Sequence, residues 1–252
     1  MKNLLFTSTL FLIVNFSFAQ TKIENDLTRD GLKGKVKFIT LSTYTAVEKF
    51  GEIEKGSWAS KSTYKYDVKG NKIEYNLYKA DGSLMFKFKY KYDEKGNKIE
   101  SNFYNADGSL LSKSTYKYDE KGNEIESISY NANGSLDFKL KYKYDERGNE
   151  IESISYKADG SLGDKSTYKY DEKGNKIESI SYNADGSLNF NLTYKYDEKG
   201  NKIESISYKA DGILESKRTY KYEFDAMGNW IKKTSITDGK PEYLTEGVIE
   251  YY

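Results

Sequence analysis

Through residues 61–222 hydrophobic and polar positions alternate with period two, and a glycine breaks the alternation every 12 or 14 residues. Period two marks half-buried strands, whose successive side chains point to opposite faces, and the spacing leaves strands of roughly 7 to 10 residues. The breaks take two alternating forms. One is Asp93-Glu-Lys-Gly96 followed by Asn97, the other Asn105-Ala-Asp-Gly108 followed by Ser109. Asp or Asn in first place and Gly in fourth fit a type I turn closed by a left-handed glycine bulge, a common hairpin loop. Pro241 is the single proline, so nothing within the alternating region removes a ladder donor. The pattern predicts an antiparallel β-meander.

The two turns recur as one 26-residue unit. Its tyrosine–aspartate pair falls at Tyr66-Asp67, Tyr92-Asp93, Tyr118-Asp119, Tyr144-Asp145, Tyr170-Asp171 and Tyr196-Asp197. A seventh copy, Tyr222-Glu-Phe-Asp225, carries a two-residue insertion. A period of this length denotes stacked supersecondary units. Pairing Asp93 with Asn97 sets Tyr92 opposite Lys98, Tyr90 opposite Glu100 and Phe86 opposite Tyr104. Pairing Asn105 with Ser109 sets Tyr104 opposite Leu110, Asn102 opposite Ser112 and Lys98 opposite Tyr116. One face then collects Phe86, Phe88, Tyr90, Tyr92, Tyr104 and Leu110, with Ile128, Ile154, Ile180 and Ile206 from later units. The other collects Lys87, Lys89, Lys91 and Ser or Thr, broken by a row at Ile99, Ile125 and Ile151.

A long sheet with one apolar face must be covered. No helical segment is long enough, so the all-β meander is expected to form a long curled or coiled sheet. Bulky and small pairs alternate along the units: Phe86/Phe88, Ser112/Ser114, Phe138/Leu140, Asp164/Ser166, Phe190/Leu192 and Ser216/Arg218. Large residues meeting small ones across an interior would account for this; duplication of a two-unit block is the alternative. The expected organisation is a signal peptide over 1–19, an N-terminal cap strand and loop over 20–60, the repeat array over 61–222 and a C-terminal cap over 223–252. Residues 20–252 read as one continuous β domain.

The signal reading rests on Lys2, the apolar run Leu4 to Phe18, and the small residues Ser17 and Ala19 at −3 and −1 of a cleavage site. Cleavage would leave Gln20 as the new N-terminus. The run is short beside the roughly 20 residues a membrane helix needs, and no later segment is apolar enough to span. Cleavage removes Lys2 and no acid from 40 basic and 39 acidic residues. A balanced chain offers no electrostatic case for nucleic acid. Without Cys there is no disulfide and no lipid attachment at a lipobox; without His or Cys, His-dependent triads, thiol nucleophiles and the usual zinc sites are excluded. The sequence calls for no cofactor.

The recurring Tyr168-Lys-Tyr-Asp-Glu-Lys-Gly-Asn175 motif resembles the YD repeat of RHS-type proteins over about residues 60 to 230. Asn stands here where that family usually has Arg after Gly, and the period is longer and more regular. The resemblance implies a coiling β-sheet, which in that family can wrap a toxin; this chain has no long C-terminal passenger. Gly31-Leu-Lys-Gly-Lys-Val-Lys37 and Gly228-Asn-Trp-Ile-Lys232 look like small exported YD-type proteins of Bacteroidota, which lack an assigned activity. Tyr182-Asn-Ala-Asp-Gly-Ser-Leu188 is more weakly similar to choline- and glucan-binding wall repeats, without their tryptophans.

Three sets of residues are candidates for chemistry. Tyr116, Tyr118, Tyr142, Tyr144, Tyr168 and Tyr170 would recur on one face about 10 Å apart, a ladder suited to sugar or peptide chains; cross-strand aromatic pairing also stabilises sheets by itself. Glu100, Glu126, Glu152, Glu178 and Glu204 would share the tyrosine face, and paired carboxylates serve glycoside hydrolysis, but so many equivalent copies argue against a single catalytic cleft. Asn183-Ala-Asp-Gly-Ser offers oxygen ligands for calcium, yet the acidic position becomes Asn in Asn131-Ala-Asn-Gly134 and the first becomes Lys in Lys157-Ala-Asp-Gly160, so no metal site is expected. The reading is an exported, non-enzymatic β-repeat protein, periplasmic or extracellular, acting as a binding or structural module of the cell envelope with a glycan or envelope protein as partner. Alternatives are a carbohydrate-binding protein using the tyrosine ladder and a carboxylate-dependent glycosidase.

Overall fold

The computed structural model describes residues 25–252; the expected signal peptide and Gln20 lie outside the described residues. A four-residue helix, α1 (Asp26–Arg29), precedes sixteen strands. The first eight are β1 (Val36–Lys49), β2 (Glu52–Tyr66), β3 (Lys72–Tyr78), β4 (Leu84–Tyr92), β5 (Lys98–Asn105), β6 (Leu110–Tyr118), β7 (Glu124–Asn131) and β8 (Leu136–Tyr144). The rest are β9 (Glu150–Lys157), β10 (Leu162–Tyr170), β11 (Lys176–Tyr182), β12 (Leu188–Tyr196), β13 (Lys202–Lys209), β14 (Leu214–Phe224), β15 (Trp230–Thr237) and β16 (Lys240–Tyr251). Each strand pairs antiparallel with the next, and β16 returns to pair with β1 from Val36↔Tyr251 to Thr45↔Tyr243. The sheet is therefore a closed barrel, not an open curl. The atypical end segments are each other's partners, which removes both free edges.

Both turns form as their residues require. Asp93 N–H donates to the Asn97 carbonyl (2.9 Å), Gly96 N–H to the Asp93 carbonyl (3.1 Å), and Gly96 has φ +85°. The Asp carboxylate locks the loop. In the next unit Asp119 Oδ1 accepts from the backbone N–H of Lys121 and Asn123, and its Oδ2 from Asn123 Nδ2. The YD motif is thus a self-contained turn.

Register departs from expectation one residue beyond each turn. Tyr92 does face Lys98 and Tyr104 faces Leu110, but bulges at Ile99 and Leu111 set Tyr90 opposite Ser101, Phe86 opposite Asn105 and Asn102 opposite Lys113. A one-residue slip exchanges faces. The glutamate row and Ile128, Ile154, Ile180 and Ile206, with Tyr104, accordingly share the lysine face rather than the tyrosine face. Electrostatics favours this: Glu100 bridges Lys91 (2.8 Å) and Lys113 (2.6 Å), and Glu152 bridges Lys143 and Lys165 (both 2.6 Å). The serines Ser101, Ser127 and Ser153 turn to the tyrosine side instead.

The tyrosine face is the inner wall. At about 4.8 Å between strands and a tilt of about 40°, sixteen strands enclose a perimeter on the order of 100 Å, enough for a water-filled lumen. Close approaches of each strand are essentially to its ring neighbours. Phe138, pointing inward, stays 39 % exposed. The bulky–small alternation therefore does not interlock across the interior: Phe138 and Leu140 sit laterally between Ser127 and Ser129 on one side and Ser155 on the other. A compact core exists at one mouth, where Leu27 of α1 packs on Val36, Ile39 and Tyr66. On the outside, the β1–β2 hairpin tip lies against β14–β16, with Lys55 bridging Glu246 at 2.6 Å and Leu244 only 2 % exposed.

Candidate functional site

All six candidate tyrosines line the lumen near the mouth formed by the YD turns. Pairing between β5 and β6 ends at Glu100↔Thr115, leaving the Lys98 carbonyl without a ladder partner. The Tyr118 hydroxyl fills that gap, donating to the Lys98 carbonyl at 2.9 Å. Tyr144 does the same to Glu124 and Tyr170 to Glu150, both at 2.8 Å. The upper tyrosine of each pair meets a serine: Tyr116 with Ser101 (2.6 Å), Tyr142 with Ser127 (3.0 Å) and Tyr168 with Ser153 (2.9 Å). The hydroxyls therefore rivet neighbouring hairpins together, while the half-buried rings face the lumen. Burial raises the phenol pKa values of three of them: Tyr170 is pushed up to about 12, and Tyr118 and Tyr144 also rise, helped by Glu124 and Glu150 respectively.

A ring of charge runs at the same level. The first residue of each odd strand from β3 to β13 is Lys72, Lys98, Glu124, Glu150, Lys176 and Lys202. Four of the six are lysines whose ammonium groups lie over tyrosine rings: Lys98 over Tyr116 at 4.3 Å, Lys176 over Tyr168 at 3.7 Å, Lys202 over Tyr194 at 5.0 Å and Lys72 over Tyr64 at 5.3 Å. Burial lowers the Lys98 and Lys176 pKa values. It raises those of Glu124 and Glu150, partly offset by Lys98 and Lys176 respectively.

Two further features shape the lumen. Tyr64, Tyr75, Phe86, Phe88 and Phe103 make a continuous aromatic strip across β2–β5, with Phe88 and Phe103 stacked at 4.5 Å and Tyr64 and Tyr75 at 4.9 Å. At the mouth, α1 is clasped from both ends. Asp26 accepts from the Tyr92 hydroxyl and the Lys72 N–H, Asp30 takes Tyr66 (2.7 Å) and Lys72 (2.9 Å), and Lys33 N–H donates to Asn229 (2.7 Å).

The glutamate row, expected on the tyrosine face, faces outward in lysine bridges instead. Sequence reasoning passed over Glu124 and Glu150; the signal was there, since the residue after the turn asparagine changes from Lys to Glu in two consecutive units. The Asn-Ala-Asp-Gly loops use their acid locally, Asp107 accepting from Ser109 N–H and Oγ. Among the described residues no cluster of three or more His, Cys, Asp or Glu could hold a metal.

No family model and no curated protein matches this chain. Among solved structures, a porin-like protein from Bacteroides uniformis is similar at 14% identity and a TM-score of 0.58, over 86% of this chain and 99% of that one. A porin-like protein from Bacteroides vulgatus aligns at 14% identity and a TM-score of 0.50, over 86% and 98%. At such identity the likeness establishes the barrel fold alone.

Proposed function

We propose that this protein is an exported, non-enzymatic binding module of the cell envelope whose tyrosine-lined lumen takes an extended polymer, with a glycan the best-matched ligand. The observation that carries this reading is the placement of the six half-buried tyrosine rings and the charged ring on one inner wall. Sugar rings stack on flat aromatic faces, and lumen serines and charged groups offer hydrogen bonds. The porin-like neighbours and the YD-type resemblance of the turn motif fit an exported envelope protein of Bacteroidota.

A water-facing barrel, periplasmic or extracellular, suits the outer wall. Lys113, Lys117, Lys139, Lys141 and Lys143 face outward along β6 and β8, and a lysine facing lipid costs about 2–4 kcal/mol at the bilayer midplane. No described helix is long and apolar enough to cross a membrane.

Calorimetry with neutral β-linked oligosaccharides of increasing length tests the reading. Affinity should rise with length as linked contacts add effective concentration. Binding of no oligosaccharide at any length, neutral or amino-substituted, overturns it.

A further inference from the structure

The repeat itself shows what its tyrosine pairs hold. In four units the lysine after the turn places its ammonium over a lumen tyrosine, at 3.7 to 5.3 Å from the nearest ring centroid. Lys202 also reaches Tyr220 of β14 at 5.7 Å, and Tyr92 of β4 is taken by Asp26. The pair on β8, Tyr142 and Tyr144, is different. Its flanking strands begin with Glu124 and Glu150, and among the described residues no lysine or arginine lies over either ring.

Glu124 and Glu150 stand two strands apart, about 10 Å, on either side of these rings. Among the described residues neither carboxylate is in an ion pair. The cations within electrostatic reach are Lys98 of β5 and Arg29 of α1 for Glu124, and Lys176 of β11 for Glu150. Lys98 and Lys176 are already seated on Tyr116 and Tyr168. So beside Tyr142 and Tyr144 stand two carboxylates, Glu124 within hydrogen-bond reach of the Tyr142 hydroxyl, where the units that begin with Lys72, Lys98, Lys176 and Lys202 supply an ammonium group of their own. A cation over an aromatic face is favoured by the ring quadrupole, and the flanking acids add charge of the matching sign.

We infer that Tyr142, Tyr144, Glu124 and Glu150 form a site for an ammonium group carried by the ligand, which makes that ligand an amino-sugar glycan. This rests on the glycan reading of the lumen and specifies its chemistry. The two acidic units are then the one place where the array exchanges a built-in cation for a borrowed one.

The test compares a fully deacetylated glucosamine hexamer with its N-acetylated counterpart by calorimetry, below the pKa of the sugar amine, in wild type and in Glu124→Lys/Glu150→Lys. That variant restores the residue found at Lys98 and Lys176, so the fold should accept it; Glu124→Gln/Glu150→Gln is the second variant. Wild type should bind the amino hexamer about tenfold tighter than the acetylated one, the scale of one cation–π contact, and both variants should lose that preference. Equal binding of the two hexamers, or a preference unchanged in the variants, overturns the ammonium site while leaving glycan binding standing. Binding of neither hexamer overturns both.

Discussion

The Tyr144 hydroxyl donates to the Glu124 carbonyl, 20 residues earlier, at 2.8 Å. The same bond recurs as Tyr118 to Lys98, Tyr170 to Glu150, Tyr196 to Lys176 and Tyr222 to Lys202. It closes the gap that each bulge leaves between successive hairpins. The tyrosine of the YD motif is thereby a structural rivet as well as a lumen surface.

Tyr144→Phe should therefore lower stability by about 1 kcal/mol, the net worth of one hydrogen bond. Tyr130→Phe on the outer wall, whose hydroxyl has no partner among the described residues, should change it little. Denaturant midpoints measure both, and equal shifts would reject the rivet.

Gly122 has φ +85°, and a Cβ there would meet nothing closer than Asn97 Oδ1 at 4.0 Å. Its replacement by Ala carries only a backbone penalty, about 1 kcal/mol. Lys121→Ala should be near neutral. A Gly122→Ala variant as stable as wild type contradicts the turn geometry.

Hydrogen bonds from Lys113 and Lys91 hold the Glu100 carboxyl at about 2, below its ordinary 4.5. A depressed folded pKa stabilises fully above the unfolded value, and the contribution is lost as pH falls from about 4.5 toward about 2. Glu124 and Glu150, raised by burial, act in the opposite sense, their protonation favouring the folded chain. Glu100→Gln should flatten the acid loss of stability. A carboxyl titration by NMR that puts Glu100 near 4.5 would contradict the lysine bridges.

Strand parity makes a sharper demand. Deleting residues 119–144 removes β7 and β8 with their turns, rejoins Tyr118 to Asp145, and still lets β1 meet β16 antiparallel. Deleting residues 119–131 removes one strand and reverses the polarity of everything after it, so closure fails and edges are exposed. Gel filtration should find the first variant monomeric and the second aggregated. Two equally soluble monomers would count against the ring.

The alternation and the turn residues made the strands, their antiparallel order and both hairpin types legible in the sequence. Closure was not, because it depends on Val36–Thr45 meeting Tyr243–Tyr251, a pairing between unique segments that no repeat announces. The face of Glu100 was misread for a local reason: the bulge at Ile99 has no glycine to mark it, and burial of the acid beside Tyr90 is what the bulge avoids. That the six tyrosines share one face was legible from their spacing. Glu124 and Glu150 required attention to where the repeat changes rather than to where it holds.

Closure of the chain into one ring is the claim on which the lumen depends, and Thr43 and Thr245 report on it directly. They are paired residues of β1 and β16 with side-chain oxygens 3.1 Å apart, in a chain without cysteine. The Thr43→Cys/Thr245→Cys variant, oxidised when dilute, should form one intramolecular disulfide, read by intact mass as the loss of two hydrogens from a monomer. Two free thiols, or disulfides found only between molecules, would show that the ends do not meet and that the sheet is open.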